Sequence, residues 1–338
     1  MPTLDADVLG GFCKDILVAA GMRDGDAGVI AAHLVDAELK DVVSHGVNRI
    51  PYYLSFFESR SAEPVADITV TRPGPSVARI DGGSGLGILA MERAVDELID
   101  MRHHQPVVTA GIVNVAHTGR LGAYAERLAR HDLLAMICGG GGRERWRMVA
   151  AHGGRGGTLS TNPWALAMPA GDDGPVSADF ATCVVANGKI RLRRRTGEDV
   201  PEGWLIDRDG HPTTNIDDYD NGGALLPAGG HKGYGLAVIG EIVGGAMLGP
   251  AFEFNWFVVA IATDVFSSAE HYDENSRAII ENLRASPPAP GVDRVRVPGD
   301  PERESECRKR TSGIELHPEV WQGLVGAARK SGVPVPSA

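Results

Sequence analysis

The sequence predicts an α/β protein: a layered strand–helix domain with helices before and after it. Three observations carry this. Residues 4–41 place apolar side chains at helical spacing through "VLGGFCKDILVAAGM" and "AGVIAAHLVDAELKDVV". From about residue 75, strand-like runs alternate with amphipathic helical ones, the pattern of a layered α/β domain. The tail "HPEVWQGLVGAARKSG" returns to helix.

In order, the first helical run can stop at Gly21, and the second leads into "VVSHGVNRIPYYL", which Pro51 is expected to end. "SVARIDG" alternates like a strand and "GILAMERAVDELIDMRHH" is an amphipathic helix. "PVVTAGIVNV" is a strand, "LGAYAERLARHD" a helix and "LLAMICGG" a strand. Glycine dominates residues 139–157, and residues 177–197 mix strand with a short turn. "GWLIDRDGHPTTN" holds an Asp-Gly turn and reads as a hairpin or loop. "GGHKGYGLAVIGEIVGGAML" is a glycine-rich turn entering an apolar helix, and "NWFVVAIATDVF" is a buried strand. Residues 285–303 are rich in proline and charge and read as a linker.

The bulk properties exclude several functions. With 338 residues the chain holds roughly two domains. A net charge of −11 gives no basic footprint for nucleic acid. Cys13, Cys138, Cys183 and Cys307 are scattered, as reduced thiols are, and form no C-x-x-C pair. The acidic "MPTLDADVLGGF" lacks a signal-peptide core, and the most apolar run, "GLAVIGEIVGGAMLGPAF", contains Glu241 and reads as a buried helix rather than a membrane span. A cytoplasmic protein is expected.

Ser44, His45 and Arg49 are the first candidate site. On a helix, His45 and Arg49 would share a face. A guanidinium grips a carboxylate with two donors, and an imidazole passes a proton near neutral pH. A clamp beside a proton shuttle suits a 2-oxo or 2-hydroxy acid, and Ser44 could orient ring or substrate. The alternative is a surface histidine with Arg49 paired to Asp41 or Glu38. His117 follows a strand with Asn114 and Thr118, and the carboxyl ends of strands face ligand crevices; the alternative is a loop histidine with Thr118 capping the helix.

Gly85, Gly87 and Ala90 fit the dinucleotide fingerprint, but the next strand ends at Asn114 without the acid that holds a ribose, so helix packing is the better reading. In "PAGGHKGYG", glycines around His231 and Lys232 at a helix start point to an anion. Asn162 precedes Pro163 in a stiff turn, and Asp179 lies in an apolar run where a carboxylate needs a partner. His45, His117, His152, His231 and Asp179 show no metal-ligand spacing, so no metal is expected.

Seven ordered segments resemble the type-2 malate/L-lactate dehydrogenase family: "SHGVNRIPYYL", "NVAHTGRLGAYAE", "GTLSTNPWALAMP", "DFATCVVANGKI", "VPEGWLIDRDGHPTTN", "LLPAGGHKGYGLAV" and "VRVPGDPERE". That family includes sulfolactate, ureidoglycolate and hydroxycarboxylate dehydrogenases and cyclic imino-acid reductases. The resemblance implies a three-layer, mixed-sheet, non-Rossmann NAD(P)-binding domain over residues 75–267. It further implies a helical substrate and dimerisation domain from residues 1–74 and 268–338. It implies hydride transfer between NAD or NADP and a small carboxylate substrate, a 2-oxo or 2-hydroxy acid, in a homodimer. His45 and His117 would be catalytic, with Asp179, and Ser44 and Arg49 would hold the substrate. Thr161, Asn162, Asp179, Phe180, Ala181, His231 and Lys232 match cofactor-contacting positions. The rivals are a cyclic imino-acid reductase using the same clamp, and a non-catalytic nucleotide-binding protein. Ala151, Ala228 and Cys183 replace residues usual in relatives, which bears on the pocket wall.

Overall fold

The computed structural model describes residues 1–142, 146–171, 173–186, 189–190, 193–194 and 197–337. Part of the strand-and-turn reading over 177–197, and residues 143–145 of the glycine-rich segment, lie outside the described residues. The fold is mixed α/β with two mixed sheets, and it divides into two compact units. The first comprises Met1–Met136, Leu166–Ala178 and Val259–Ala338; the second comprises Ile137–Ala165 and Asp179–Val258.

The first unit begins with strand β1 (Thr3–Leu4), helix α1 (Ala6–Ala19) and helix α2 (Asp24–Leu39). Asp5 caps α1 by accepting the Asp7 N–H at 2.7 Å. Leu9, Phe12, Ile16 and Leu17 of α1 pack against Ile30, Leu34 and Ala27 of α2. Helix Pro318–Ser331 brings Leu324 and Ala328 into the same core, and Ile314–Glu315 pairs antiparallel with β1. The two ends of the chain thus close one apolar cluster.

The Ser44–Arg49 stretch is not the continuous helix that its spacing allowed. It forms two 3-10 turns, Val43–His45 and Val47–Arg49, separated by Gly46 in extended conformation. Nor does Pro51 end this stretch. It sits in the first turn of helix α3 (Ile50–Glu58), where its missing N–H costs nothing.

Strands β2 (Thr69–Gly74), β3 (Val77–Asp81), β4 (Val107–Val113), β5 (Leu133–Gly140), β8 (Trp164–Met168), β9 (Val176–Phe180) and β13 (Asn255–Ala262) make a sheet that lies mainly in this unit. Its order is β2-β3-β4-β13-β5-β8-β9. β3 and β4 are parallel, with Asp81 opposite Val113, whereas β2 and β3 are antiparallel. Helices α4 (Gly87–Arg102) and α5 (Leu121–Ala129) follow β3 and β4 as the alternation predicts. Gly87 opens α4 because a Cβ there would lie 2.3 Å from Thr118 and 2.7 Å from the Ala116 carbonyl. The "GGSGLG" glycines therefore serve close packing.

Two helices were not legible. Ala269–Arg284 has no buried residue, and Asp300–Ser312 buries only Asp300 and Ser305. The expected linker in fact runs into the second helix. Asp300 accepts from Arg284, Arg303 and the Val297 N–H, so charge rather than an apolar stripe fixes its start.

The second unit holds a five-stranded sheet, β11-β10-β12-β6-β7, built from Pro212–Thr213, Leu205–Ile206, Ala224–Leu225, Val149–Ala150 and Gly157–Leu159. The Asp-Gly segment is the antiparallel hairpin of β10 and β11. Helix His231–Ile242 continues as a wider π-helical turn, Val243–Met247. It is not the buried helix expected from its composition, since Ile239, Ile242 and Met247 are 49%, 58% and 56% exposed. Glycines explain this: Gly240 and Gly244 press one face onto Gly139 and Gly140. A Cβ on Gly244 would lie 2.2 Å from the Gly140 carbonyl oxygen. Gly244→Ala is therefore expected to destabilise the protein by about 1–3 kcal/mol, measured by urea unfolding; an unchanged midpoint would contradict the packing argument.

Candidate active site

The first unit brings Ser44, His45, Arg49 and His117 together. His117 lies just past the carboxyl end of β4, and its ring stacks on that of His45 with centroids 5.7 Å apart and planes at 21°. Both rings are half-buried. Ser44 Oγ lies 2.9 Å from His45 Nδ1. Arg49 Nε donates to the Ser44 carbonyl at 2.7 Å, and its guanidinium lies 5.8 Å from the centre of the Tyr52 ring.

Asp41 and Glu38, the partners of the competing reading of Arg49, have contacts of their own. Asp41 carries Lys309 and Arg308. Glu38 accepts the Val47 N–H at 2.9 Å. Thr118 does not cap the following helix, whose N-cap is Arg120; instead its carbonyl accepts from Tyr124 at 2.6 Å.

The protonation of His117 follows from geometry. The Gly119 N–H donates to His117 Nδ1 at 3.2 Å, and Tyr53 Oη is 2.9 Å from the same nitrogen. A backbone N–H can only donate, so Nδ1 is the acceptor and the neutral ring carries its proton on Nε2. Burial, then Arg49, His45 and His33, hold the His117 pKa well below the usual histidine value. Burial, then Arg49 and Arg120, lower that of His45 to about 4.

Sequence reasoning missed three supports. His33, on the apolar face of α2, accepts the Arg120 N–H through Nε2 at 2.9 Å and stacks on Tyr124 at 5.1 Å. Burial is the main cause that lowers it to about 3. Tyr53 is fully buried and reaches His117. Glu38 is 3% exposed, and burial raises it to about 7, against the pull of the Val47 N–H and Lys309. A histidine and acids spaced through an otherwise apolar helix were the visible signal.

The second unit collects the other candidates. The Thr182 N–H and hydroxyl both donate to the Thr161 carbonyl at 2.9 Å, and the Ala228 N–H donates to the Thr182 carbonyl at 2.8 Å. These bonds set Thr161, Asn162 and Ala181 beside the turn that opens helix His231–Ile242. Gly229 and Gly230 in that turn both have φ +60, and Lys232 is exposed. The His231 ring meets His152 edge-on at 6.2 Å. Asn162, itself at φ +34, is fully buried; Nδ2 donates to Glu241 at 2.9 Å, while Oδ1 has no hydrogen-bond partner among the described residues. Glu241 also takes Ser160 Oγ at 3.0 Å and the Gly141 N–H at 2.9 Å, a hub that sequence reading did not find. Asp179 and Phe180 end β9, and both are exposed. The burial argument for Asp179 therefore does not apply. Among the described residues, no three His, Cys, Asp or Glu side chains are grouped to hold a metal, and no helix is long and apolar enough to cross a membrane.

An α/β fold that gathers two imidazoles and a guanidinium past the end of a central strand defines an enzyme, an oxidoreductase by its relatives. The chain belongs to the malate/L-lactate dehydrogenase family, whose profile matches residues 4–325. It is 32% identical to the malate dehydrogenase of Pyrococcus horikoshii, over 97% of this chain and 95% of that one. It is 36% identical to the (2R)-3-sulfolactate dehydrogenase (NADP(+)) of Chromohalobacter salexigens, over 91% of this chain and 92% of that one. The crystal structure of Δ1-piperideine-2-carboxylate reductase from Pseudomonas syringae superposes with a TM-score of 0.86 at 27% identity, covering 97% of this chain and all of that one.

His33 and His45, both held neutral, make acid stability predictable. The unfolded chain protonates them near 6.5, while folded His45 and His33 stay neutral down to about 4 and about 3. Folding therefore loses free energy as pH falls from about 6.5 towards 4. Glu38 acts in the opposite sense, since its folded-state gain is present at low pH and lost as pH rises through about 7. His33→Gln, which keeps an acceptor for Arg120, should flatten the dependence between pH 5 and 6.5 by up to about 1.4 kcal/mol per pH unit, read from urea melts. An unchanged slope would contradict the assignment of His33 as buried and neutral.

Proposed function

We propose that the protein is a nicotinamide-dependent 2-hydroxy acid dehydrogenase, moving a hydride between NAD or NADP and a small 2-oxo or 2-hydroxy acid. The observation that carries this is the stacked His45–His117 pair beside Arg49 in a chain of the malate/L-lactate dehydrogenase family. Lys232 after two left-handed glycines, and the buried Asn162 Oδ1, fit a ligand with phosphates and an amide donor. Thr161, Asn162, Asp179, Phe180, Ala181, His231 and Lys232 would hold the dinucleotide. When bound, the nicotinamide supplies or accepts the hydride.

The protein's own residues do the rest. Arg49 grips the substrate carboxylate, with Ser44 and Tyr52 fixing its approach. His45 exchanges the proton with the substrate oxygen: as imidazolium it protonates the forming alkoxide, and as neutral base it takes the hydroxyl proton. His117 donates a hydrogen bond from Nε2–H to that oxygen but gives up no proton, because its Nδ1 is held as an acceptor. Asp179, exposed at the end of β9, serves the cofactor side.

Further parts of the reading rest on family likeness. The cofactor domain is non-Rossmann, supported by the strand order β2-β3-β4-β13-β5-β8-β9, which lacks two consecutive mononucleotide halves. The helical segments 1–74 and 268–338 serve substrate and dimer, and 75–267 the dinucleotide. The working form is a homodimer in the cytoplasm. A second reading is a cyclic imino-acid reductase, favoured by the piperideine-2-carboxylate reductase neighbour; a C=N bond beside a carboxylate suits the same clamp.

Pyruvate, oxaloacetate, sulfopyruvate and cyclic imino acids, each with NADH and NADPH, separate the readings. Turnover of 2-oxo acids is expected; turnover of imines alone would favour the second reading, and none at all would leave a nucleotide-binding protein. His45→Ala should lower kcat by about 10²–10⁴-fold with little change in cofactor KM. His117→Ala should cost about 10²-fold yet keep the pH inflection that His45→Ala removes. If both variants stayed fully active, the proton-transfer assignment would fail.

A further inference from the structure

The turn between His45 and Arg49 contains a feature that the reaction does not explain. Gly46, Val47 and Asn48 separate the proton-transfer ring from the carboxylate clamp, and a buried carboxylate presses on the first two. Glu38 is 3% exposed, and its Oε1 accepts the Val47 N–H at 2.9 Å. A Cβ on Gly46 would lie 2.0 Å from that same oxygen and 2.5 Å from the Glu38 carboxyl carbon. The acid therefore fills the space over Gly46 and satisfies the amide beside it. Its own backbone is anchored, since Lys309 Nζ donates to the Glu38 carbonyl at 2.6 Å and also pairs with Asp41.

We propose that Glu38 is the positioning residue of the site: it sets the distance and orientation between His45 and Arg49 by holding the Gly46–Val47 peptide. It touches no reacting atom. Its role is to choose the two-turn form over the continuous helix that the local sequence also permits. In a continuous helix the Val47 N–H would bond to the carbonyl four residues back; here that donor is drawn to Glu38, and Gly46 is extended. A second bond across the same turn, from Arg49 Nε to the Ser44 carbonyl, then closes the clamp onto the ring-bearing residues.

Glu38→Gln keeps shape and an acceptor. Glu38→Ala removes both, and Glu38→Asp withdraws the acceptor by one methylene while keeping charge. Gly46→Ala attacks the same contact from the other side. Hydrogen exchange of the 42–54 segment should be unchanged in Glu38→Gln and at least about tenfold faster in Glu38→Asp and Glu38→Ala. With pyruvate or oxaloacetate as probe, KM for the acid should rise about tenfold or more in Glu38→Asp, Glu38→Ala and Gly46→Ala, with KM for the nicotinamide unchanged, and Glu38→Gln should restore it. Should Glu38→Ala not fold, Glu38→Asp carries the test. Unchanged exchange in the folded variants, or a cofactor KM that rises as much as the acid KM, overturns the proposal. The kinetic arm rests on the dehydrogenase reading, and the exchange arm does not. If the wild type turned over no 2-oxo acid while exchange responded as expected, the function would be wrong and the positioning role would stand.

Discussion

The first unit depends on polar groups of α2 that are buried in a helix whose other buried positions are apolar. His33 Nε2 accepts the Arg120 N–H, and Glu38 accepts the Val47 N–H. One helix thereby holds both of the segments that carry the site, the turn after α2 and the loop after β4. Between these acceptors Asp36 takes Lys40 and Arg120, and Glu126 takes the same two cations at 3.0 and 2.8 Å. A buried charge is tolerated only with such complete pairing, and removing one partner strands the rest. Glu126 sits at about 2: burial would raise it, but Arg120 and Lys40 outweigh that. The close fit extends to Gly119, where a Cβ would lie 2.2 Å from His33 Nε2. With φ +71 there, the loop must be glycine on both steric counts.

The second unit uses the same device with different residues. Glu241 accepts from Gly141, Ser160 and Asn162, joining three chain segments around one carboxylate. Asn162 cannot rotate its amide without placing its oxygen against Glu241 and the Gly139 carbonyl, so Nδ2 faces both acceptors and Oδ1 is left over. The strained φ of Asn162 and the absence of a partner for a buried acceptor have one economical explanation. The surrounding bonds determine the amide, and in the cofactor site proposed above a ligand donor would complete it.

Much of this was legible in the sequence where period and turn chemistry agree. The "SVARIDG", "PVVTAGIVNV" and "LLAMICGG" strands and the helices between them stand where alternation placed them. Ser44, His45, Arg49 and His117 do meet, although through two 3-10 turns rather than a shared helical face. What was hidden is long-range. Glu38 was weighed only as a local partner for Arg49, because its acceptor role requires the turn to be folded first. Helix Asp300–Ser312 lacked an apolar stripe, since ion pairs from Arg284 and Arg303 define its beginning. Asp179 looked buried because its neighbours in sequence are apolar, but it ends an exposed strand edge.

In the reaction proposed above, the electrostatics of the imidazole pair would tie substrate binding to proton transfer. In the free site both rings are held neutral, first by burial and then by the Arg49 charge. The Arg49 guanidinium beside half-buried imidazoles disfavours further positive charge on them. A substrate carboxylate on Arg49 would offset that second cause and raise the affinity of His45 for a proton. His117 gains little by the same step, since the Gly119 N–H occupies the nitrogen that would have to accept it. Two stacked rings beside one cation thus differ in which nitrogen is open to a proton, through a single backbone donor that the left-handed Gly119 places.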